Sequence, residues 1–370
     1  MVWIHGGGFE IGSAYDQGPQ YLMDTENVII VSVNYRLGPL GFMSLGLPDF
    51  TGNNGLKDQA LALKWVHENI ATFHGRPEEV TLFGESAGSM SAALHILSSQ
   101  SRGLFSKVIL QSKTALDVTY KVKSLQDSDE NGQILADKLG CNKTDLACLQ
   151  ALDWQSILKS AKIRPEGLFS GTWIPGLEPK ESKDPFLTEE PEILMKSGEF
   201  DRNLQVIIGT MKDEGLIALI KPLILPGELA KLKSTYNSTL TAEIFNIQDF
   251  NRVKDEDVQK LQEILHFYLG PGHPGDKFSL DNLQALVDMI TDSAFLYGTH
   301  KTLKYFKAFN VKAFQYIFTY PGQFSITQIF GLKNKFGVSH ADDLQYLWQM
   351  IGKMIFVTPQ CNVSQANFVQ

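Results

Sequence analysis

Apolar runs and helical stretches alternate along most of this chain. Short runs rich in Val, Ile and Leu are typical of buried strands, and they occur at residues 1–4, 28–35, 80–83, 107–112, 204–210 and 311–318. Helical patterns lie between or after them, at residues 87–94, 129–139, 145–160, 254–268 and 281–306. We therefore expect an α/β fold with a central, mostly parallel sheet flanked by helices.

The boundaries of one helix can be predicted in more detail. Residues 52–57 have the composition of a loop, and Asp58 is a candidate N-terminal cap. The apolar positions of the helix would be Leu61, Trp65, Val66, Ile70 and Phe73. Residues 117–200 are less regular and are interpreted as an excursion off the sheet, so that residues 1–370 form one domain.

Composition and charge exclude several classes of function. The 370 residues are 43% hydrophobic and 11% aromatic, which is ample for a large core. A formal charge of −8 argues against nucleic acid or an anionic membrane surface as a partner. No apolar run reaches the roughly 18 residues that span a bilayer. No His/Cys cluster has metal-ligand spacing, so neither a metal nor a cofactor is expected.

A serine between two glycines is the first candidate for chemistry. Gly84-x-Ser86-x-Gly88 lies between a predicted strand and a predicted helix. This is the sharp turn on which α/β-hydrolases hold a nucleophilic serine above the sheet. A side chain at either glycine would collide with the neighbouring strand or helix. The alternative is a glycine-rich turn with a solvated serine.

A glycine loop follows the first strand. In His5-Gly6-Gly7-Gly8 the missing side chains let backbone N–H groups approach a ligand. In α/β-hydrolases such a loop supplies an oxyanion hole together with the amide after the nucleophile. The candidate donors are the amides of Gly7, Gly8 and Ala87. The alternative interpretation is a flexible glycine turn.

An acid and a histidine follow later in the chain. The strand at 204–210 runs into Asp213-Glu214, and either carboxylate could be the acid. His340 lies on a loop after Gly337, C-terminal to both the serine and the acids. The order Ser, acid, His is that of α/β-hydrolases. His67, in contrast, is interpreted as structural or solvated.

Several motifs together resemble the type-B carboxylesterase/cholinesterase family, and its insect or other arthropod carboxylesterases most. The matching stretches include residues 2–9, 33–38, 54–59, 62–70, 83–88, 209–215 and 337–340, which span nearly the whole chain in family order. The resemblance implies Ser86 as nucleophile, Glu214 as acid, His340 as base and a disulfide between Cys141 and Cys148. It implies hydrolysis of small carboxylic esters through an acyl-enzyme intermediate.

Departures from the family pattern bear on the substrate. Positions that narrow the acyl pocket of cholinesterases hold Phe169, Gly171 and Thr119, which leaves more room. Ile217-Ala218 stand where a choline site would need an aromatic residue. Apolar xenobiotic, pheromone or hormone-like esters are therefore expected, although Glu85 differs from the Gln of juvenile-hormone esterases. Lys113 stands where the family usually has a small residue, and His74-Gly75-Arg76-Pro77 also departs from the family pattern. Neither departure has a functional explanation.

Family members usually extend beyond both ends of the matching region. We therefore expect that the N-terminal strands of the sheet and a C-terminal helix are missing, which would leave unpaired strand edges prone to aggregation. Two alternatives to the esterase hypothesis follow. One is a non-catalytic, cholinesterase-like binding or adhesion protein, and the other is an inactive truncated esterase product.

Glycosylation sequons begin at Asn142, Asn237 and Asn362. The chain has three cysteines, of which Cys141 and Cys148 are close in sequence and Cys361 has no obvious partner. These features favour a secreted full-length protein over an intracellular one, although residues 1–6 do not form a signal peptide. The sequence makes no prediction of oligomeric state.

Overall fold

Six parallel strands form the central sheet in the part of the chain that the structure describes. The computed structural model describes residues 1–163, 171–234, 239–240, 244, 254–270, 282–332 and 336–350. The central sheet has the strand order β3-β1-β4-β5-β6-β7, and a separate two-stranded antiparallel sheet joins β2 to β8. The strands are β1 (Val2–Ile4), β2 (Gln17–Gly18), β3 (Val31–Val33), β4 (Thr81–Glu85), β5 (Lys107–Gln111), β6 (Gln205–Met211), β7 (Lys312–Phe318) and β8 (Gln349–Met350).

Helices connect the strands and cover the sheet, so the predicted α/β fold is confirmed. The α-helices span Gln20–Met23, Gly38–Phe42, Asn54–Asn69, Ala87–Leu97, Leu125–Lys138, Leu146–Gln150, Trp154–Ser160, Pro191–Ser197, Leu216–Ile224, Pro226–Ser234, Asp255–Leu269, Leu283–Thr291, Tyr297–Ala308, Ile326–Ile329 and Leu344–Leu347. Short 3-10 helices span Ile70–Phe73, Pro77–Glu79 and Ser99–Ser101, and a π-turn spans Asp292–Leu296.

Both faces of the central strands are buried, as expected for a parallel sheet. Successive side chains of a strand point to opposite faces. One face contributes Ile4, Leu82, Val108 and Ile208 to the main core, all at most 1% exposed. On the other face Trp3 and Phe83 pack against Trp348, with ring centroids 4.8 and 5.8 Å from that of Trp348 respectively. The middle of the sheet is therefore a rigid base for the residues that follow its strands.

The predicted strand at 28–35 is shorter in the structure. Only Val31–Val33 pair, each opposite one residue of Val2–Ile4. The strand lies at the edge of the sheet, and its partner β1 has three residues, so the ladder ends where the partner ends.

The predicted start of the first long helix was also wrong. The helix begins at Asn54, within the segment predicted as a loop, and Asp58 lies one turn inside it. The Asp58 carboxylate does not cap the helix but accepts hydrogen bonds from the backbone and guanidinium of Arg36. The buried face includes Val66 and Ile70, as expected, whereas Leu61, Trp65 and Phe73 are exposed. His67 is exposed.

The excursion at 117–200 contains the expected disulfide. Cys141 is bonded to Cys148, with Cα atoms 5.8 Å apart, which confirms this prediction. The neighbouring Asn142 is exposed. Phe169, Asn237, Cys361 and Asn362 lie outside the described residues. Within the described ranges no helix has the length and apolarity needed to cross a bilayer, and three or more potential metal ligands do not cluster there.

Candidate active site

Ser86 occupies a strained turn at the carboxyl end of β4. Its φ of 57° and ψ of −122° lie in a region that residues with a side chain rarely adopt. The Ser86 N–H donates to the Gln111 carbonyl oxygen at 2.9 Å, which fixes the turn to the adjacent β5. The helix Ala87–Leu97 begins immediately afterwards and is buried along its whole length, while Ser86 itself is half-buried. The serine is thus the accessible residue of this turn.

The two flanking glycines allow this turn because the helix crosses close to the strands. A Cβ atom on Gly84 would lie 2.5 Å from the carbonyl carbon and oxygen of Gly88. A Cβ atom on Gly88 would lie 2.0 Å from the Ile4 carbonyl oxygen. Both approaches are to backbone atoms, which cannot rotate away. The expected collisions at these two positions are therefore present.

Glu214 and His340 form the shortest contact of the site. Oε2 of Glu214 accepts a hydrogen bond from Nδ1 of His340 at 2.6 Å. Oε1 of Glu214 accepts from the Met211 N–H at 2.8 Å, and the residue is fully buried. The carboxylate is therefore fixed at the end of β6, and it sets the orientation of the imidazole.

Two buried aspartates hold the loop that carries His340. Oδ2 of Asp213 accepts from the Val338 N–H at 2.8 Å, and the Asp213 N–H donates to the Val338 carbonyl oxygen at 2.9 Å. Oδ2 of Asp342 accepts from the Ser339 N–H, also at 2.8 Å. The sequence alone did not decide which of the two acids pairs with the histidine. In the structure Glu214 contacts His340, and Asp213 binds the loop that carries His340.

Glu85 is a site residue whose role the sequence does not predict. Its Oε1 lies 3.0 Å from Nε2 of His340, without the geometry of a hydrogen bond. Burial raises the pKa of Glu85 to about 8, although the neighbouring His340 opposes the shift. Burial lowers the pKa of His340, but Glu85 and Glu214 together outweigh it and raise this pKa to about 9. Its position next to the candidate serine is the sequence feature that could have identified Glu85 as a site residue.

A third carboxyl group completes the buried cluster. Asp343 is 5% exposed, and its Oδ2 accepts a hydrogen bond from Nε2 of Gln111 at 2.7 Å. Burial raises the pKa of Asp343 to about 6, while the bond from Gln111 lowers it and Glu214 raises it. Glu85, Glu214 and Asp343 therefore surround the imidazole with groups that favour its protonated form.

The glycine loop passes directly over the serine turn. A Cβ atom on Gly6 would lie 2.8 Å from the Glu85 carbonyl oxygen and 3.1 Å from Cβ of Ser86. The Gly7 carbonyl oxygen accepts from the N–H groups of Glu10 and Ile11, which closes the turn. Ala87 is the first residue of its helix, so its N–H has no carbonyl partner within that helix. Gly7, Gly8 and Ala87 therefore belong to segments that adjoin Ser86.

Comparison with known proteins agrees with this geometry. The family model described as "Carboxylesterase family" matches residues 1–361. The chain is 33% identical to the juvenile hormone esterase of Tribolium castaneum over 369 residues, which are 95% of this chain and 62% of that protein. It is 34% identical to esterase E4 of Myzus persicae over 368 residues, 96% of this chain and 64% of that protein.

A cholinesterase of Mus musculus is 39% identical over 231 residues, 60% of this chain and 37% of that protein. The chain thus spans less than two thirds of the length of each of these relatives. The predicted resemblance is confirmed by the family match, which covers the serine turn, the acid and the histidine loop. With its parallel sheet flanked by helices, the chain belongs to the carboxylesterase family.

Proposed function

We propose that this protein hydrolyses carboxylic esters, with Ser86 as nucleophile, His340 as general base and Glu214 as the acid that orients it. The observation that carries the proposal is the 2.6 Å hydrogen bond between Glu214 and His340, at the end of the sheet where Ser86 occupies its strained turn. In open parallel sheets ligands bind at the carboxyl ends of the strands, where these three residues are found.

The proposed reaction has two halves. Nε2 of His340 removes the proton of the Ser86 hydroxyl while its oxygen attacks the ester carbonyl carbon. The bond from that carbon to the alcohol oxygen then breaks, and His340 returns the proton to the departing alcohol. Water attacks the acyl-serine in the same way and releases the carboxylate. Glu214 stabilises the imidazolium that forms in each half.

The oxyanion of each tetrahedral intermediate would be held by the amides of Gly7, Gly8 and Ala87. Such donors act where charge develops, and the loss of one typically costs on the order of 10²–10³ in turnover. The close approach of Gly6 to Ser86 supports this assignment, because it brings the glycine loop to the serine turn.

The imidazole must turn slightly during the reaction. Nε2 of His340 lies 3.0 Å from Glu85, whereas the proposed step requires it to face the Ser86 hydroxyl. The hydrogen bond from Nδ1 to Glu214 can act as the pivot, since it holds the other side of the ring.

We propose apolar esters as substrates. Ile217 packs partly buried against an apolar cluster that contains Leu216 and Leu219, so this position offers no aromatic face to a quaternary ammonium. Gly171 and Thr119 occupy two of the positions that narrow the acyl pocket of cholinesterases. Both residues are small and half-buried. These features favour an uncharged alcohol and a larger acyl group than those of a choline ester.

Labelling with a fluorophosphonate probe tests the proposal. We expect a stoichiometric adduct on Ser86, located by tryptic mass spectrometry, that is lost after heat denaturation and suppressed in His340→Ala. A folded chain without an adduct would overturn the proposal and favour the non-catalytic binding protein. Absence of both adduct and cooperative melting would identify an inactive product.

We further propose that the full-length protein is secreted. A disulfide such as Cys141–Cys148 is typical of proteins in an oxidising compartment, and the adjacent sequon residue Asn142 is exposed.

A further inference from the structure

Lys113 is a buried cation close to the candidate active site. It follows β5, and only 4% of its surface is exposed. Nζ lies 2.7 Å from Oδ2 of Asp117, which is itself 3% exposed. It also donates to the Ala294 carbonyl oxygen at 2.9 Å and to the Thr119 hydroxyl at 3.2 Å. A lysine is almost never fully buried unless it is paired, and here both ends of the ion pair are inside the protein.

The same ammonium lies over two aromatic rings. Nζ of Lys113 is 4.0 Å from the ring centroid of Phe295 and 5.3 Å from that of Tyr120. Both distances are within the range of cation–π attraction, which is stronger when the cation is desolvated. Lys113 therefore joins two segments that come from different parts of the chain.

Phe295 is the connection to the candidate base. The rings of Phe295 and His340 have centroids 5.2 Å apart, and Phe295 is 1% exposed. Ala294 and Phe295 lie in the π-turn Asp292–Leu296, an irregularity that needs local support. The Lys113 ammonium binds this turn at the Ala294 carbonyl and at the Phe295 ring, so it fixes the surface on which the imidazole rests.

Tyr120 is the connection to the glycine loop. A Cβ atom on Gly8 would lie 3.3 Å from the Tyr120 hydroxyl oxygen, so this side chain borders the loop at Gly8. Asp117 accepts hydrogen bonds from the N–H groups of Thr119 and Tyr120, which places Tyr120 beside the ammonium. The Lys113 ammonium thus contacts Phe295, which lies beside His340, and Tyr120, which lies beside the glycine loop.

We propose that Lys113 is a positioning residue for His340, acting through the Ala294 carbonyl and the Phe295 ring. The inference rests on the proposed function, in which His340 acts as the base. Lys113 does not touch the reacting atoms. It limits the imidazole to orientations between one that faces Glu85 and one that faces Ser86. It also adds a positive charge to a cluster that is otherwise acidic.

The charge has a predictable direction of effect. Titratable groups from every neighbouring element face this cluster: Glu85 at the end of β4, Lys113 with its partner Asp117 after β5, Glu214 after β6, Tyr316 on β7 and Asp343 before the helix Leu344–Leu347. Burial lowers the pKa of His340, Glu85 and Glu214 raise it, and Lys113 lowers it again. Lys113 therefore favours the neutral imidazole, which is the form that accepts a proton.

A nuclear magnetic resonance titration of His340 tests the inference without requiring activity. The protein is labelled with ¹³C at Cε1 of histidine, and the His340 signal is assigned by its loss in His340→Gln. In Lys113→Met, which keeps an unbranched apolar side chain, the titration midpoint of His340 is expected to move to higher pH. Its ¹³C shift at high pH should also change as Phe295 moves. Lys113→Arg, with the same charge, should retain the wild-type midpoint.

The buried partner requires a second variant. Lys113→Met leaves the carboxylate of Asp117 unpaired, which can prevent folding. In Lys113→Met/Asp117→Asn neither side chain is charged, and Oδ1 of the Asn can still accept from Thr119 and Tyr120. Because the double variant removes two opposite charges 2.7 Å apart, it tests the contacts with Ala294 and Phe295 through the ¹³C shift of His340 at high pH. A His340 midpoint that is unchanged in folded Lys113→Met, or a chemical shift that is unchanged in the folded double variant, would overturn the inference.

Failure of the inference and of the proposed function are distinguishable. Fluorophosphonate labelling of the unaltered protein reports on the function, whereas the His340 titration reports on Lys113 alone. Where labelling succeeds, the acid limb of kcat/KM should move to higher pH in Lys113→Met and stay in place in Lys113→Arg. A merely structural role for Lys113 would lower the melting temperature and leave that limb unchanged.

Discussion

Oε1 of Glu85 lies 3.0 Å from Nε2 of His340, although the two residues are far apart in the chain. The same imidazole donates from Nδ1 to Glu214 at 2.6 Å, so a carboxyl group stands at each of its nitrogens. This arrangement stabilises the imidazolium in the proposed reaction, but it also keeps the base protonated to higher pH.

The pH dependence of the Glu85→Gln variant follows from this contact. Glu85 is the largest of the influences that raise the pKa of His340, which is raised to about 9. Removing its charge lowers this pKa. Because the reaction requires neutral His340, activity should persist to lower pH, and the acid limb of kcat/KM should move downwards. Glu68→Gln, an exposed residue of the helix Asn54–Asn69, is the matched control. An unchanged acid limb in Glu85→Gln would contradict the assigned role.

Local patterns were sufficient to predict the serine turn and the histidine loop. Gly84, Ser86 and Gly88 are adjacent in sequence, and the backbone contacts that exclude a side chain arise from the turn itself and from strand β1. The strand prediction was successful for the central strand Lys107–Gln111, because neither of its faces is exposed and its sequence is therefore a continuous apolar run.

The sequence was less informative where distant segments decide the outcome. Asp213 and Glu214 are neighbours of the same charge, and only their positions relative to Val338 and His340 separate their roles. Lys113 is a departure from the family pattern that the sequence shows, but its partner Ala294 is remote in the chain. Asp58 met the local rule for a cap, yet the pairing with Arg36 overrides that rule. Such contacts depend on the tertiary structure and leave no periodic signal.

The substitution Gly88→Ala tests the packing of the serine turn. Its Cβ would lie 2.0 Å from the Ile4 carbonyl oxygen, so helix and strand must separate. We expect a loss of stability on the order of 3 kcal/mol, measured by chemical denaturation, together with loss of labelling at Ser86. Gly227→Ala is the matched control, because a Cβ there meets nothing within 4 Å and Ala favours the helix Pro226–Ser234. Equal stability of the two variants would show that the turn can relax.

Glycosylation at Asn142 tests the proposed secretion. The side chain is exposed, and its Oδ1 accepts from the N–H and the hydroxyl of Thr144 in a tight turn. Expression through a eukaryotic secretory pathway should give a glycan at this position, detected as a mobility shift that peptide N-glycosidase removes and Asn142→Gln reduces. Asn203→Gln, exposed but outside a sequon, should leave the shift unchanged. Secreted protein with unmodified Asn142 would contradict the prediction.

Asp213 is expected to act on catalysis through the backbone of the histidine loop. In Asp213→Ala the buried Val338 N–H loses its side-chain acceptor. Nε2 of Gln284 loses one of two acceptors, since it donates to Oδ1 of Asp213 at 3.0 Å and to Oδ1 of Asp288 at 2.8 Å. The cost should be about 1–3 kcal/mol in the free energy of unfolding. A displacement of His340 by about 1 Å should lower kcat roughly 10²-fold.

The measurement is kcat at a temperature well below the melting transition of every variant, so that loss of activity is separated from unfolding. Lys212→Ala is the matched control, since this neighbour is exposed and its backbone N–H still donates to the Phe318 carbonyl oxygen. The kcat of Asp213→Asn, which keeps one acceptor oxygen, should lie between those of Asp213→Ala and Lys212→Ala. If Asp213→Ala loses stability but keeps the kcat of the unaltered protein, the loop does not depend on this carboxylate for the placement of His340. The hydrogen bond to Glu214 would then be sufficient to hold the imidazole by itself.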